Sequence, residues 1–163
     1  MKIVLGVLVG FFSLVNFAVG SDSEVSRGSL KGLNGVAVLV EDMDSDEGRA
    51  GLNQEVIRTD AELKLRLAGI TVLPIAGLAP YLYISVNAIG GPTAWCYATK
   101  VELVQTVKLS RDMGISIPGV TTWSAPDAVG LTPPSQLVER VRSVIKDMVD
   151  RFINAYLSVN PKK

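Results

Sequence analysis

The chain has 163 residues, 16 basic and 16 acidic side chains, a net charge of zero, one cysteine and no histidine. No basic excess exists to displace counterions from nucleic acid, which argues against that class of partner. Without an imidazole there can be no Ser-His or Cys-His nucleophile pair and no His-ligated zinc or haem. One cysteine permits neither an intramolecular disulfide nor a Cys-rich metal site.

The N-terminus carries the strongest local pattern. Lys2 precedes an apolar run from Ile3 to Val15, Asn16 interrupts it, and Ala18-Val19-Gly20 places small residues before Ser21. This is the layout of a secretory signal peptide over residues 1–20, cut after Gly20. The alternative is a retained anchor, because a bilayer is crossed by about 17–25 apolar residues. Ser13 and Asn16 shorten the run and favour cleavage. Cys96 is far from the junction and offers no thiol there for a lipid. There is no Asn-x-Ser/Thr sequon. Export with neither disulfides nor sequons points to a bacterial periplasm or outer envelope.

Residues 21–32 are short and polar and read as a flexible N-terminal segment. Residues 33–160 read as one α+β domain. Val36–Val40 is apolar on both alternating faces, as in a central strand covered on both sides. A helix follows, with Asn53 as its N-cap, Leu52 and Ile57 as a hydrophobic staple, and Val56, Ile57, Leu63 and Leu67 as its apolar contacts. Glu62 and Arg66 form an i,i+4 pair, and Gly69 suits the left-handed position past the helix end. Ile70–Leu73 reads as a short strand and Pro74–Pro80 as a loop.

Tyr81–Ile89 and Trp95–Leu109 read as an antiparallel hairpin across Gly90-Gly91-Pro92. Ser110–Pro118 reads as loop and Val120–Ser124 as the last strand. Thr132 is the expected cap of a long helix with Pro133 at its first position. The helix has an apolar stripe of Leu137, Val141, Val144, Ile145, Met148, Phe152, Ile153 and Tyr156, and Asn160-Pro161 stops it. The order strand, helix, strand, hairpin, strand, helix predicts a mixed sheet with two helices packed on one face.

Chemistry-bearing motifs are few. Asp42, Asp44 and Asp46 match the first alternate ligands of a calcium loop, but Glu47 stands where that loop needs Gly and Asn53 where it needs Glu. The stretch reads as a solvated turn. Ser116 lies outside any Gly-x-Ser-x-Gly elbow, and no phosphate-binding glycine loop is present. No catalytic, metal or cofactor residue is assigned. Cys96, between Trp95 and Tyr97, is expected to be a small buried hydrophobe, with exposure and an intermolecular disulfide as the alternative.

If both helices cover one face, then Tyr81, Tyr83 and Val104 lie on the other. Either the loops 74–80 and 110–119 or a partner covers that face. A partner would be another envelope protein or a second copy. Membrane contact is expected only if the leader is retained.

With this element order and the run Leu63-Lys64-Leu65-Arg66-Leu67-Ala68-Gly69-Ile70 in view, the chain resembles small uncharacterised exported bacterial proteins. Its order is similar to that of the N-terminal domain of the TolB family and related envelope modules. That resemblance implies a noncatalytic envelope protein that binds other proteins, and it assigns no functional residue. Two alternatives stand beside it. One is a carrier of a small apolar ligand or lipid in a cavity lined by Trp95, Tyr97 and Phe152. The other is an enzyme without His-based chemistry.

Overall fold

The computed structural model describes residues 22–43, 47–48 and 50–161. Residues 1–20, expected as a leader cut after Gly20, lie outside the described residues, as do Asp44 and Asp46.

In chain order the elements are α1 (Glu24–Gly28), β1 (Ala37–Val40), α2 (Gln54–Leu67), β2 (Tyr81–Gly90), β3 (Trp95–Leu109), β4 (Asp112–Ser124), β5 (Ala128–Thr132) and α3 (Leu137–Val159). The fold is α+β, one domain with a mixed five-stranded open sheet. β1 runs parallel to β2, with Ala37 opposite Tyr81 and Val40 opposite Ile84. β2 pairs antiparallel with β3 from Tyr81↔Val104 to Gly90↔Trp95. The far edge of β3 is divided: β4 takes Glu102 to Leu109, and β5 takes Trp95 to Thr99.

Alternation along these strands separates two faces. Val38, Val40, Leu82, Ile84, Val86, Tyr97, Val101, Leu103 and Trp123 are buried on one face, in one core with the helices. α2 and α3 pack on each other, α2 also against β1 and α3 against β3. From α3 come Leu137, Val141, Ile145, Met148, Val149, Phe152 and Ile153. The Trp123 and Phe152 rings meet edge-on at 5.4 Å, a favoured arrangement of the two quadrupoles.

α2 has both of the ends its sequence announces. The Asn53 side chain accepts from the Val56 amide at 3.1 Å. At the other end the amides of Gly69 and Ile70 donate to Arg66 and Leu65, with Gly69 at φ +79°. That is a Schellman closure, and Leu65 and Ile70 are buried together beneath it. The buried face differs from the expected one. It is Ile57, Ala61 and Leu65, while Val56, Leu63 and Leu67 point to solvent. The reason lies in the neighbours flanking that face: Arg142 and Lys146 of α3 hold Asp60, and Lys64 holds Asp150. These pairs flank the buried stripe and tie α2 to α3.

Several boundaries differ from expectation. Ile70–Leu73 is no strand; it contributes one parallel bridge, Val36↔Val72, beside β1. Of the expected loop Ser110–Pro118 only Ser110 and Arg111 make a turn; Asp112–Pro118 belongs to β4, because β3 overhangs β2 and offers it a ladder. Pro118 is tolerated there because β4 is an edge strand. Ala128–Thr132, not read as a strand, is β5. Thr132 ends β5 and caps nothing. A short 3₁₀ turn, Pro134–Gln136, leads into α3, and no side chain caps either element.

The stretch expected as a tether carries α1, with Ser23 and Ser26 in a reciprocal capping box. Leu30 is fully buried. Asp22 accepts two hydrogen bonds from Arg27, at 2.7 and 2.9 Å, and one from the indole of the fully buried Trp123 at 2.9 Å. The Arg27 guanidinium, opposed by burial and aided by the Trp123 indole, holds the Asp22 carboxyl below its ordinary range.

Asp22→Ala leaves the buried indole without its acceptor, and we expect a loss of about 1–3 kcal/mol at neutral pH. The carboxyl is depressed in the fold, so its contribution is present above the unfolded value of about 3.9 and fades as pH falls below it. Urea unfolding of both proteins at pH 7 and near pH 3 checks this: the gap between them should narrow in acid.

Candidate interaction face

The helices cover one side of the sheet, so function is sought on the other. Its residues form rows across the strands: Ala37–Tyr81–Val104, Leu39–Tyr83–Glu102, Ser85–Lys100, Asn87–Ala98–Val129 and Ile89–Cys96–Leu131. The three residues singled out by sequence, Tyr81, Tyr83 and Val104, are brought together here. Tyr81 and Val104 are direct cross-strand neighbours, and Tyr83 lies one row along.

That end of the face is partly closed. Val104 and Ala37 are buried, and Tyr81 and Tyr83 are half-buried. The loop around Gly77–Ala79 and the residues Pro118 and Gly119 stand beside Tyr81 and Val104 across a cleft of about 290 Å³. Ile75 and Ala76 flank Leu39 across another of about 220 Å³. Tyr83 has Glu102 directly opposite and donates its phenol to Glu41. Burial first, and then that carboxylate, pushes the phenol up to about 12.

The other end is open. Ile89 and Val129 are each 73% exposed and Leu131 75%. Between them sits Cys96, whose thiol is free and exposed. The expected burial of Cys96 is thus corrected. Strand alternation sends it to the side opposite Trp95 and Tyr97, where no helix lies. Sequence reasoning missed Val129 and Leu131 because it assigned β5 no strand. The available signal was their alternation with Ala128, Gly130 and Thr132. Gly130 is itself informative: a Cβ there would come within 2.4 Å of the Tyr97 ring, so any side chain at that position would require the ring to move.

A polar band divides the two ends. Lys100 and Asp127 approach at 3.7 Å with both side chains exposed, a contact worth at most about 1 kcal/mol. Beyond the described part of the acidic stretch, Glu47 turns inward and accepts from the Ala88 amide at 3.0 Å. It thereby occupies the edge of β2 past the end of β1. Asp42 accepts from Gln54 at 3.2 Å. Among the described residues, no three His, Cys, Asp or Glu side chains are grouped to hold a metal ion. Ser116 lies on the exposed part of β4.

Fold and face together define an open-faced α+β domain. No family model matches the chain, and no curated protein does. Among solved structures, the crystal structure of rare lipoprotein B from Shewanella oneidensis is similar at 15% identity and a TM-score of 0.40, covering 78% of this chain and 96% of that one.

The raised phenol of Tyr83 can be followed directly. In an ultraviolet difference titration Tyr83→Phe should remove an ionisation step at about 12. The fold favours the neutral phenol, so its contribution is full below the unfolded value of about 10 and is lost as pH rises beyond it. The stability advantage of the native protein over Tyr83→Phe should shrink across that window.

Proposed function

We propose that this chain is a noncatalytic protein-interaction module of the bacterial envelope, and that it docks a partner through the open end of its outer sheet face. The observation that carries this is the contiguous apolar patch of Ile89, Cys96, Ala98, Val129 and Leu131, built on strands rather than on a mobile loop. Large aliphatic side chains adjacent across three strands are costly in water, and such patches mark interaction sites. The Lys100–Asp127 band and Asn87 would form its polar rim. The envelope address rests on the leader pattern of residues 1–20.

Two features support this reading over the alternatives. A carrier needs room between sheet and helices, and there the rings of Trp123 and Phe152 are in contact and fully buried. An enzyme would have to work without histidine.

The test is in-cell photocrosslinking from Leu131, with Tyr83 as the comparison position. We expect one discrete adduct from Leu131, reduced strongly by Ile89→Lys, and a weaker one from Tyr83. A folded protein that gives no adduct from Leu131 would sink the reading.

A further inference from the structure

The sheet has two outer borders, and most of their length is guarded against pairing with another chain. Beside β1, the Val36 amide donates to the Thr71 carbonyl at 3.0 Å and the Leu73 amide donates to the Val36 carbonyl at 2.9 Å. The Gln54 side chain donates to the Val40 carbonyl at 2.7 Å. Past the end of β1, the Glu47 carboxylate takes the Ala88 amide of β2. On β4 the Asp112 side chain takes the Gly114 amide at 2.9 Å, and Pro118 has no amide hydrogen to offer. Side-chain plugs and prolines of this kind blunt a free edge.

β5 carries none of them. The Val101 carbonyl accepts from the Ala125 amide at 2.9 Å, so the odd-numbered backbone groups of β3 point to the β4 and β5 side. There Thr99, Tyr97 and Trp95 face Ala128, Gly130 and Thr132. The amides and carbonyls of Val129 and Leu131 therefore point away from the sheet, and among the described residues nothing bonds them. Both residues are strongly exposed, and β5 contains neither a charge nor a proline. Their side chains lie on the outer face opposite Ala98 and Cys96, in the cross-strand positions where side chains approach most closely.

We infer that β5 is a strand-accepting edge, to which the partner adds an extended segment through the outward amides and carbonyls of Val129 and Leu131. This rests on the docking proposed for the open end and gives that docking its chemistry. An apolar patch alone would accept a helix or a loop equally well. Donors and acceptors recurring about every 6.8 Å along an edge match another extended backbone. Alternation then sets the pattern of the incoming segment. Its residues opposite Val129 and Leu131 lie on the outer face, so they are apolar and two apart, and they lengthen the rows Ala98–Val129 and Cys96–Leu131 by one strand. Asp127 before β5 and Pro133 after it bound the ladder to a short segment.

Proline separates the backbone contribution from that of the side chains. Val129→Pro removes one outward amide hydrogen and puts a ring in the path of an added strand. The bonds from β5 to β3, made by the even-numbered residues, and the apolar surface both persist. Val129→Thr keeps the amide and a branched side chain. The full chain, with a photoreactive residue at Leu131, is crosslinked in cells in each background. We expect the adduct to fall about fivefold or more with Val129→Pro and to stay within about twofold with Val129→Thr. In the adduct purified without either substitution, the Val129 amide should exchange its hydrogen about tenfold or more slowly than in the free protein. That second readout is independent of how Val129→Pro folds. Equal adduct yields from the two variants overturn strand addition and leave the apolar patch as the docking surface. Unslowed exchange at Val129 does the same. A folded protein giving no adduct from Leu131 in the native background sinks the docking and strand addition together.

Discussion

The mismatch between β3 and its neighbours is the constraint on which the rest depends. β3 has fifteen residues, of which β2 matches ten. The surplus, residues 105–109, has no β2 beside it and pairs only along its other edge. β4 makes that pairing by turning back at once, which produces a two-stranded arm. The far edge of β3 then needs two strands in succession, and the chain steps through Ala125–Asp127 to change from β4 to β5. The register shifts within the β3–β4 pair lie along this stretch. They are the local adjustments by which an overlong ladder keeps its pairing.

One-sided layering follows from the same sheet. α1, α2 and α3 all lie on the face of Trp123, so apolar residues on the reverse must be covered by loops or left in water. Near Tyr81 and Val104 short connections happen to fall across them. Near Cys96 the connection is the tight turn 91–94, too short to fold back over the strand ends. The asymmetry of the outer face is therefore a consequence of loop length. Asp60 with Arg142 and Lys146, and Lys64 with Asp150, act on the other side as orienting contacts. Partly exposed pairs of this kind contribute modestly to stability and fringe the stripe of Ile57, Ala61 and Leu65 that faces the core.

What was legible in the sequence was what is encoded within a few residues. Asn53, Leu52 with Ile57, and Gly69 announced α2, and the 3.6-residue stripe from Leu137 to Ile153 announced α3. The β2–β3 hairpin was legible because its two alternating runs flank a glycine-proline turn. β5 was not, since five residues containing a glycine are a strand only when β3 and the Tyr97 ring lie alongside. The arm was obscured by Gly114, Pro118 and Gly119, which read as breakers until a facing strand exists. Cys96 was misplaced for a related reason: alternation assigns it a face, but only the tertiary arrangement says which face the helices cover. Asp22 gave no local sign, because its partner Trp123 is a hundred residues away.

The links from Asn160 to Leu30 and Gly32, and from the Tyr156 phenol to the Leu33 carbonyl at 2.7 Å, have a consequence in time as well as in space. A ribosome makes residues 30–33 more than a hundred residues before residues 156–160. The beginning of the domain cannot be locked until its final helix has been synthesised. Contacts of such long sequence separation are slow to form. A chain built this way stays open at its first turns until α3 has been made.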